Sequence, residues 1–277
     1  MSDRFDVALM IEGQDGLNWP RWRGLAETAE RAGFAGIYRS DHFTNATGPH
    51  LDALELWSSQ NWLASHSRGL EFGPLVSPVS FRHPVITAWT ATAIDNLSGG
   101  RLQLGLGAGW QEREHEEFGF DLLDVDARFR RFREALIVVT LLLRGHGAAT
   151  FDGEFYRLRG AELLPRPARP GGPPIVVGGN GPRRTLPLAA EFADEWNGTS
   201  QTPERFAALS QRLDTLLAER GRKPASVRRT LMTRIIFGRD DAEVARKTEG
   251  TSLAALRERG VVVGTAGDVV TQLRALR

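Results

Sequence analysis

The sequence predicts an α/β protein built as one (β/α)8 TIM barrel over residues 1–277, and three observations support that prediction. Short apolar strands alternate with amphipathic helical stretches along the chain, the pattern of a parallel sheet with crossover helices. The alternation repeats about eight times, the number that closes a barrel, and 277 residues suit one such unit. A doubly wound dinucleotide-binding sheet would need Gly-x-Gly-x-x-Gly after its first strand. Val7–Gly16 lacks that pattern, and in Gly105–Trp110 the third required glycine falls on Trp110.

The first strand spans Phe5–Ile11. Asn18 then caps a helix with Pro20 in its first turn and Trp22, Leu25, Ala26, Ala29 and Ala32 at helical spacing, and Gly33 ends it. Gly36–Arg39 forms a second strand that stops at Ser40-Asp41-His42-Phe43. A helix over 52–64, a strand over 70–76, a helix over 84–97 and a strand over 102–106 repeat the unit. The next helix, 125–143, places Phe129, Phe132, Leu136, Val139 and Leu143 on one face and arginines on the other. The stretch from Gly145 to Pro174 is an insertion between the fourth and fifth β/α units, with a small hairpin at Phe151–Phe155. The period resumes with a strand at 175–177, a helix at 182–192, a strand at 194–197 and a helix opened by Thr202-Pro203. A strand over 231–237, a helix opened by Asp240 with Glu243, a strand at 261–263 and a helix opened by Thr265 with Asp268 complete the chain.

Composition narrows the chemistry. Basic and acidic side chains number 35 and 34, so no strong field draws the chain to nucleic acid or to an anionic membrane. Cys is absent, which removes thiolate catalysis and thiolate metal sites. Lys223 and Lys247 are the only lysines, which disfavours a Schiff-base mechanism. No apolar run reaches the roughly 18 residues that span a bilayer. Charges at Asp3, Arg4 and Asp6 stand where a secretory signal would be apolar, so a cytoplasmic location is expected.

In a barrel, functional groups gather at the C-terminal strand ends, so Glu12, Asp41-His42, the Pro74–Ser77 region, Gly107–Trp110, Gly178–Gly181, Trp196-Asn197, Thr233 and Thr265 rank first. Gly178, Gly179, Asn180 and Gly181 lead into a helix whose backbone N–H groups suit a phosphate, with Arg183 or Arg184 adding charge; tight turning alone is the competing role. His42 beside Asp41 is a candidate proton donor. His115 sits among Glu112, Glu114, Glu116 and Glu117. Without a second histidine at helical spacing, the stretch reads as a solvated acidic helix face, and no metal site is expected. The elbow Gly-x-Ser-x-Gly is missing, which disfavours a serine hydrolase.

Several segments in fixed order resemble the luciferase-like monooxygenase family. They are Ser40–Phe43, Ser80-Phe81-Arg82-His83-Pro84, Leu97–Arg101 running into Gly105–Trp110, then Glu114-His115, Phe118-Gly119, Phe151–Tyr156, Pro165–Pro167 and Ile175–Gly179. The pattern is most similar to the branch of coenzyme F420-dependent oxidoreductases. The resemblance implies a flavin or deazaflavin over the barrel mouth, backed by a third-strand bulge near Pro74, Leu75 and Val76 that often has a non-proline cis peptide. It also implies a phosphate end at Gly107, Ala108, Gly109 and Gly178–Gly181, with Trp110 on the same loop. His42 matches the family's histidine near the reactive ring, and Asp41 a polar ring contact. Deazaflavin sugar dehydrogenases of the family carry a glutamate where this chain has Trp110, which argues against a sugar-phosphate substrate. The expected activity is F420-dependent hydride transfer on a small organic substrate, with FMN and an oxygen-using monooxygenase fed by a partner reductase as the alternative. A non-catalytic ligand-binding barrel is a second alternative. A homodimer is expected from the relatives.

Overall fold

Local chemistry sets the boundaries of most elements. The structure, a computed structural model, describes residues 6–276. These divide into two compact units, residues 6–177 with Phe192–Asp194, and Gly178–Glu191 with residues 195–276.

The first unit opens with strand β1 (Ala8–Ile11) and helix α1 (Trp19–Ala32). The part of the anticipated first strand at Phe5 lies outside the described residues. In α1 the Asn18 side chain accepts from the Arg21 N–H, and Gly33 closes the helix at φ 74°, a left-handed position that glycine occupies freely. Strand β2 (Gly36–Arg39) follows, then α2 (Leu56–His66). That helix starts later than the sequence suggests. Glu55 caps it by accepting from Ser58 N–H, while Asp52 is taken up by the Asn18 side chain at 3.0 Å.

The strand anticipated over 70–76 is interrupted. β3 (Glu71–Pro74) ends at a cis peptide between Leu75 and Val76, and a two-residue strand β4 (Ser77–Pro78) resumes beyond it. Helix α3 (Pro84–Ser98), strand β5 (Leu104–Gly107), short helix α4 (Glu112–Phe118) and long helix α5 (Val125–Arg144) come next. β1, β2 and β3 pair in parallel, with Ala8 opposite Gly36 and Gly36 opposite Glu71. β4 pairs with β5, and β5 with β8 (Ile175–Gly178), again in parallel. Ile37, Phe72, Leu104 and Leu106 of these strands are buried, as are Phe132, Leu136 and Val139 of α5.

The insertion between α5 and β8 contains the anticipated hairpin, β6 (Ala149–Asp152) and β7 (Arg157–Ala161), paired antiparallel. Its turn is held by α5. The Glu134 carboxylate accepts from the N–H groups of Glu154, Phe155 and Tyr156 at 2.8, 2.9 and 3.2 Å.

The second unit contains α6 (Thr185–Phe192), whose last residue belongs to the first unit, β9 (Glu195–Thr199), α7 (Pro203–Ala218), β10 (Arg228–Met232) and β11 (Ile235–Phe237). It continues with α8 (Asp241–Thr248), α9 (Leu253–Glu258), β12 (Val262–Gly264) and α10 (Ala266–Ala275). The apolar run 231–237 is two strands rather than one. β10 pairs with β9 and β11 with β12, so the chain changes partner at Thr233-Arg234, which apolar periodicity does not register. α6 begins at Thr185 rather than Pro182, which lengthens the loop before it, and α9 is an addition to the expected elements. The capping box at Thr265 and Asp268 is formed. Ile236, Val244, Leu256 and Val263 form a small core of their own.

Candidate active site at the strand ends

In the first unit the ends of β1, β2, β3 and β5 bring polar side chains into an otherwise apolar interior. At the end of β1 the Gly13 N–H donates to Ser40 Oγ at 2.8 Å, and Ser40 Oγ in turn donates to Gln14 Oε1 at 2.8 Å. Beneath them Arg39 is 1% exposed. It donates to Ser59 Oγ at 2.9 Å, lies over the Trp22 ring at 5.8 Å, and has its pKa pulled down to about 10 by burial.

Beyond this layer, His42 Nδ1 lies 2.8 Å from Oε1 of Glu114, which is wholly buried. The other oxygen, Oε2, accepts from the Phe43 N–H at 3.0 Å. A carboxylate only accepts, so this contact puts the Nδ1 proton on His42 and directs Nε2 away from Glu114. Gln111 braces the pair, with Nε2 donating to Thr44 O at 2.9 Å and standing 3.4 Å from His42 Nδ1. Burial pulls the His42 pKa down. The hydrogen bond and charge of Glu114, with Glu12 and Asp41 adding, outweigh that and raise it above the ordinary imidazole value. The Trp110 ring stands edge-on to His42 at 5.6 Å and is 61% exposed.

Asp41, one residue earlier, is buried in a different set of contacts. It is ion-paired with Arg82 and accepts from Ser77 Oγ at 2.6 Å, and Arg82 reaches on to Glu55 at 2.9 Å. Asp41 thus ties the end of β2 to the residue after the Leu75–Val76 cis peptide.

The glycines of β5 are demanded by this neighbourhood. A Cβ on Gly105 would lie 2.0 Å from the Pro74 carbonyl oxygen, and one on Gly107 would lie 2.6 Å from Val76 Cγ2. Gly109 has φ 85°, and its carbonyl accepts from Arg128 at 3.2 Å. Ala108, between them, is half-buried.

The acidic stretch after Trp110 needs correction. Glu112, Glu116 and Glu117 are solvated, but Glu114 and His115 are buried on the inner face of α4. His115 is bound through Nδ1 to Gln111 O at 2.6 Å and through Nε2 to Ser80 Oγ at 2.8 Å. Sequence reasoning gave no individual role to Gln111, to Glu114 or Arg82 within the segments that carry the resemblance, or to Ser77 within the ranked Pro74–Ser77 region. The signal for two of them was present, because Gln111 and Glu114 at i and i+3 share a helix face with His115.

In the second unit, Gly178–Gly181 forms the loop before α6. The Gly179 N–H donates to Asn197 O at 2.9 Å, and its carbonyl accepts from Trp196 Nε1 at 2.8 Å. Asn180 makes a reciprocal pair with the Thr199 backbone at 2.8 and 2.9 Å. The loop is thereby fixed from behind, and Arg183 and Arg184 stand exposed at its far end.

The parallel strands, the crossover helices and a histidine held on a buried carboxylate at a strand end define an α/β enzyme scaffold of barrel type. Residues 4–265 match the model of the luciferase-like monooxygenase family, and the chain belongs to that family.

Among its relatives, the 5,10-methylenetetrahydromethanopterin reductase of Archaeoglobus fulgidus is 31% identical over 196 residues, covering 70% of this chain and 53% of the relative. The F420-dependent glucose-6-phosphate dehydrogenase of Beutenbergia cavernae is 33% identical over 174 residues, covering 62% and 50%. The chain therefore spans about half the length of these relatives.

Two solved structures share the fold. An F420-dependent secondary alcohol dehydrogenase in complex with an F420-acetone adduct superposes at TM-score 0.85 with 16% identity, over 98% of this chain and 89% of that one. The monooxygenase RslO1 from Streptomyces bottropensis superposes at 0.82 with 19% identity, over 99% and 88%. The fold is the luciferase-like (β/α)8 barrel, with the hairpin insertion following the fourth β/α unit.

Proposed function

We propose that this chain is a coenzyme F420-dependent oxidoreductase acting on a small organic substrate. The observation behind the proposal is the His42–Glu114 pair, in which a buried carboxylate fixes one ring nitrogen and directs the other away from it, at the end of a parallel strand. The relatives named above that use F420 agree with this reading.

The residues present fit a planar, phosphorylated cofactor. Gly107 lets β5 close on Val76 at the Leu75–Val76 bulge in the first unit, and in the second unit the Gly178–Gly181 loop leads into α6 with Arg183 nearby. A bound deazaflavin supplies hydride-transfer chemistry. The protein supplies orientation and proton handling. His42 Nε2 holds or returns the proton on the substrate's heteroatom, and Glu114 stabilises the imidazolium that this creates. Ser77 and Arg82 hold Asp41, which positions the strand end rather than exchanging protons. In the first unit Leu75, Val76, Gly107, Ala108, Gly109 and Trp110 offer a wall for the ring; in the second, the loop of Gly178, Gly179, Asn180 and Gly181, whose Gly179 N–H is already given to Asn197, offers the backbone N–H groups of Asn180 and Gly181 to phosphate oxygens. On this reading residues 1–277 act as one luciferase-like domain, in a cytoplasmic homodimer whose cofactor is recycled by a separate reductase. Among the described residues no helix is long and apolar enough to cross a membrane.

The test is a fluorescence-quench titration of the purified protein with F420 and, separately, with FMN. Tight binding of F420 and weak binding of FMN is the expected result. Tight binding of FMN alone would replace this reading with an oxygen-using monooxygenase, the activity named for RslO1. Binding of neither would leave a non-catalytic barrel.

A further inference from the structure

On α5 the sequence pattern puts arginines opposite the apolar face, yet one of them is inside. Arg131 is 9% exposed. Its guanidinium meets no carboxylate among the described residues. Nη2 donates to the backbone carbonyl of Asp121 at 2.7 Å, and the Nε–H is buried with no hydrogen-bond partner. Burying an ionised guanidinium without a counter-ion is costly, and native proteins normally supply one.

Arg131 lines an open surface depression of about 300 Å3 together with Ser80, Arg82, the exposed His83, Phe155 and Tyr156. The polar groups here are mostly donors. Burial pushes the Tyr156 phenol up and Arg131 draws it back, so it stays a neutral hydroxyl. His83 Nδ1 accepts from the Val85 N–H at 3.3 Å, and burial lowers its pKa, which leaves a neutral ring with its proton on Nε2. The other charges around Arg131 are already engaged. Arg82 is paired with Asp41 and Glu55, Arg128 binds the carbonyls of Gly109, Leu122 and Leu123, and the Glu134 carboxylate is taken by the hairpin turn. Asp121 contributes its backbone carbonyl and an attractive charge.

We propose that this depression is an oxyanion site, in which a carboxylate or phosphate group accepts from Arg131 with the Tyr156 hydroxyl and His83 as supporting donors. The inference stands apart from the deazaflavin reading, because every residue in it lies between β4 and the hairpin and none of them is assigned to the cofactor. The anion has two possible sources with the same chemistry, a free small anion or an anionic group of the substrate or cofactor.

The test uses the full chain in a buffer of low anion content, with inorganic phosphate and acetate as probes and thermal unfolding as the readout. Phosphate or acetate at about tenfold its Kd raises the wild-type Tm by roughly 2–3 °C. Arg131→Met loses the shift and, without added anion, melts no lower than wild type, because an uncompensated buried charge has been removed. Tyr156→Phe keeps the fold and weakens the response, so it carries the test should Arg131→Met fail to fold. No dose-dependent shift in the wild type, or an equal shift in Arg131→Met and Tyr156→Phe, overturns the proposal. Phosphorus NMR of bound phosphate then separates the sources. Release on adding F420 assigns the site to the cofactor's own anionic group, and retention assigns it to a free anion.

Discussion

The two glycine-rich strand ends look alike in the sequence, each an apolar strand running into glycines, yet their surroundings differ. Around Gly105 and Gly107 the space a side chain would fill is taken by the protein itself, by the Pro74 carbonyl at 2.0 Å and Val76 at 2.6 Å. Around Gly181 the nearest obstacle to a Cβ is the tip of Thr185, Oγ1 at 2.9 Å, and Gly179 is set by its φ of 125°. The first run lets two strands approach, whereas the second meets only a side-chain tip at the start of the helix it leads into. A glycine pattern alone does not distinguish packing from ligand binding; the position of the missing Cβ does.

Four measurements put that contrast at risk. The largest effect belongs to the segment just beyond the first run, where Glu114 holds His42. His42→Ala should slow the chemical step by about 10²–10⁴, or roughly 3–5 kcal/mol, while changing cofactor affinity little. Stopped-flow rates set beside binding titrations check this, and equal losses in both would make His42 a packing residue. Next, Gly105→Ala should cost about 2–3 kcal/mol in urea unfolding, because the new methyl meets backbone that cannot yield. Gly181→Ala should cost under about 1 kcal/mol in stability but weaken cofactor binding about tenfold. If it instead behaves like Gly105→Ala, both runs are packing devices and the contrast collapses.

The smallest effect is a pH dependence. His42 has a raised pKa in the folded protein, so its pairing with Glu114 contributes stability fully below the ordinary value of 6.5. That contribution is lost as pH rises through the raised folded-state value. The Tm difference between wild type and His42→Gln should therefore be largest in mild acid and shrink on the alkaline side. A difference that grows with pH would mean that Glu114 does not hold the charged ring.

Much of the fold was legible because its signals are local. Asn18, Pro20 and Gly33 delimit α1 through their own hydrogen bonds and φ, and Thr265 with Asp268 does the same for α10. The features that escaped depend on distant partners. Asp52 looks like a helix cap, but Asn18 claims it and Glu55 caps instead. The run Leu231–Phe237 is largely apolar and still changes partner in the middle. His42, Asp41, Trp110 and the Leu75–Val76 bulge do come together in space. Glu114 was hidden among solvated glutamates, because its burial arises from α4 meeting the end of β2, an encounter 71 residues apart in the chain for its bond to Phe43.

The grip of Glu134 on the hairpin turn has a bearing on how this insertion changes over evolutionary time. One carboxylate on α5 satisfies three successive backbone N–H groups and asks nothing of the side chains at Glu154, Phe155 and Tyr156. That part of the attachment reads only backbone, whereas the Arg130–Glu154 pair, the buried Tyr156 and Leu158, and the bare Cα of Gly153 against Glu134 fix the sequence beside it. Drift in this hairpin is therefore expected to be uneven, free at Phe155 and constrained at Gly153, Tyr156 and Leu158.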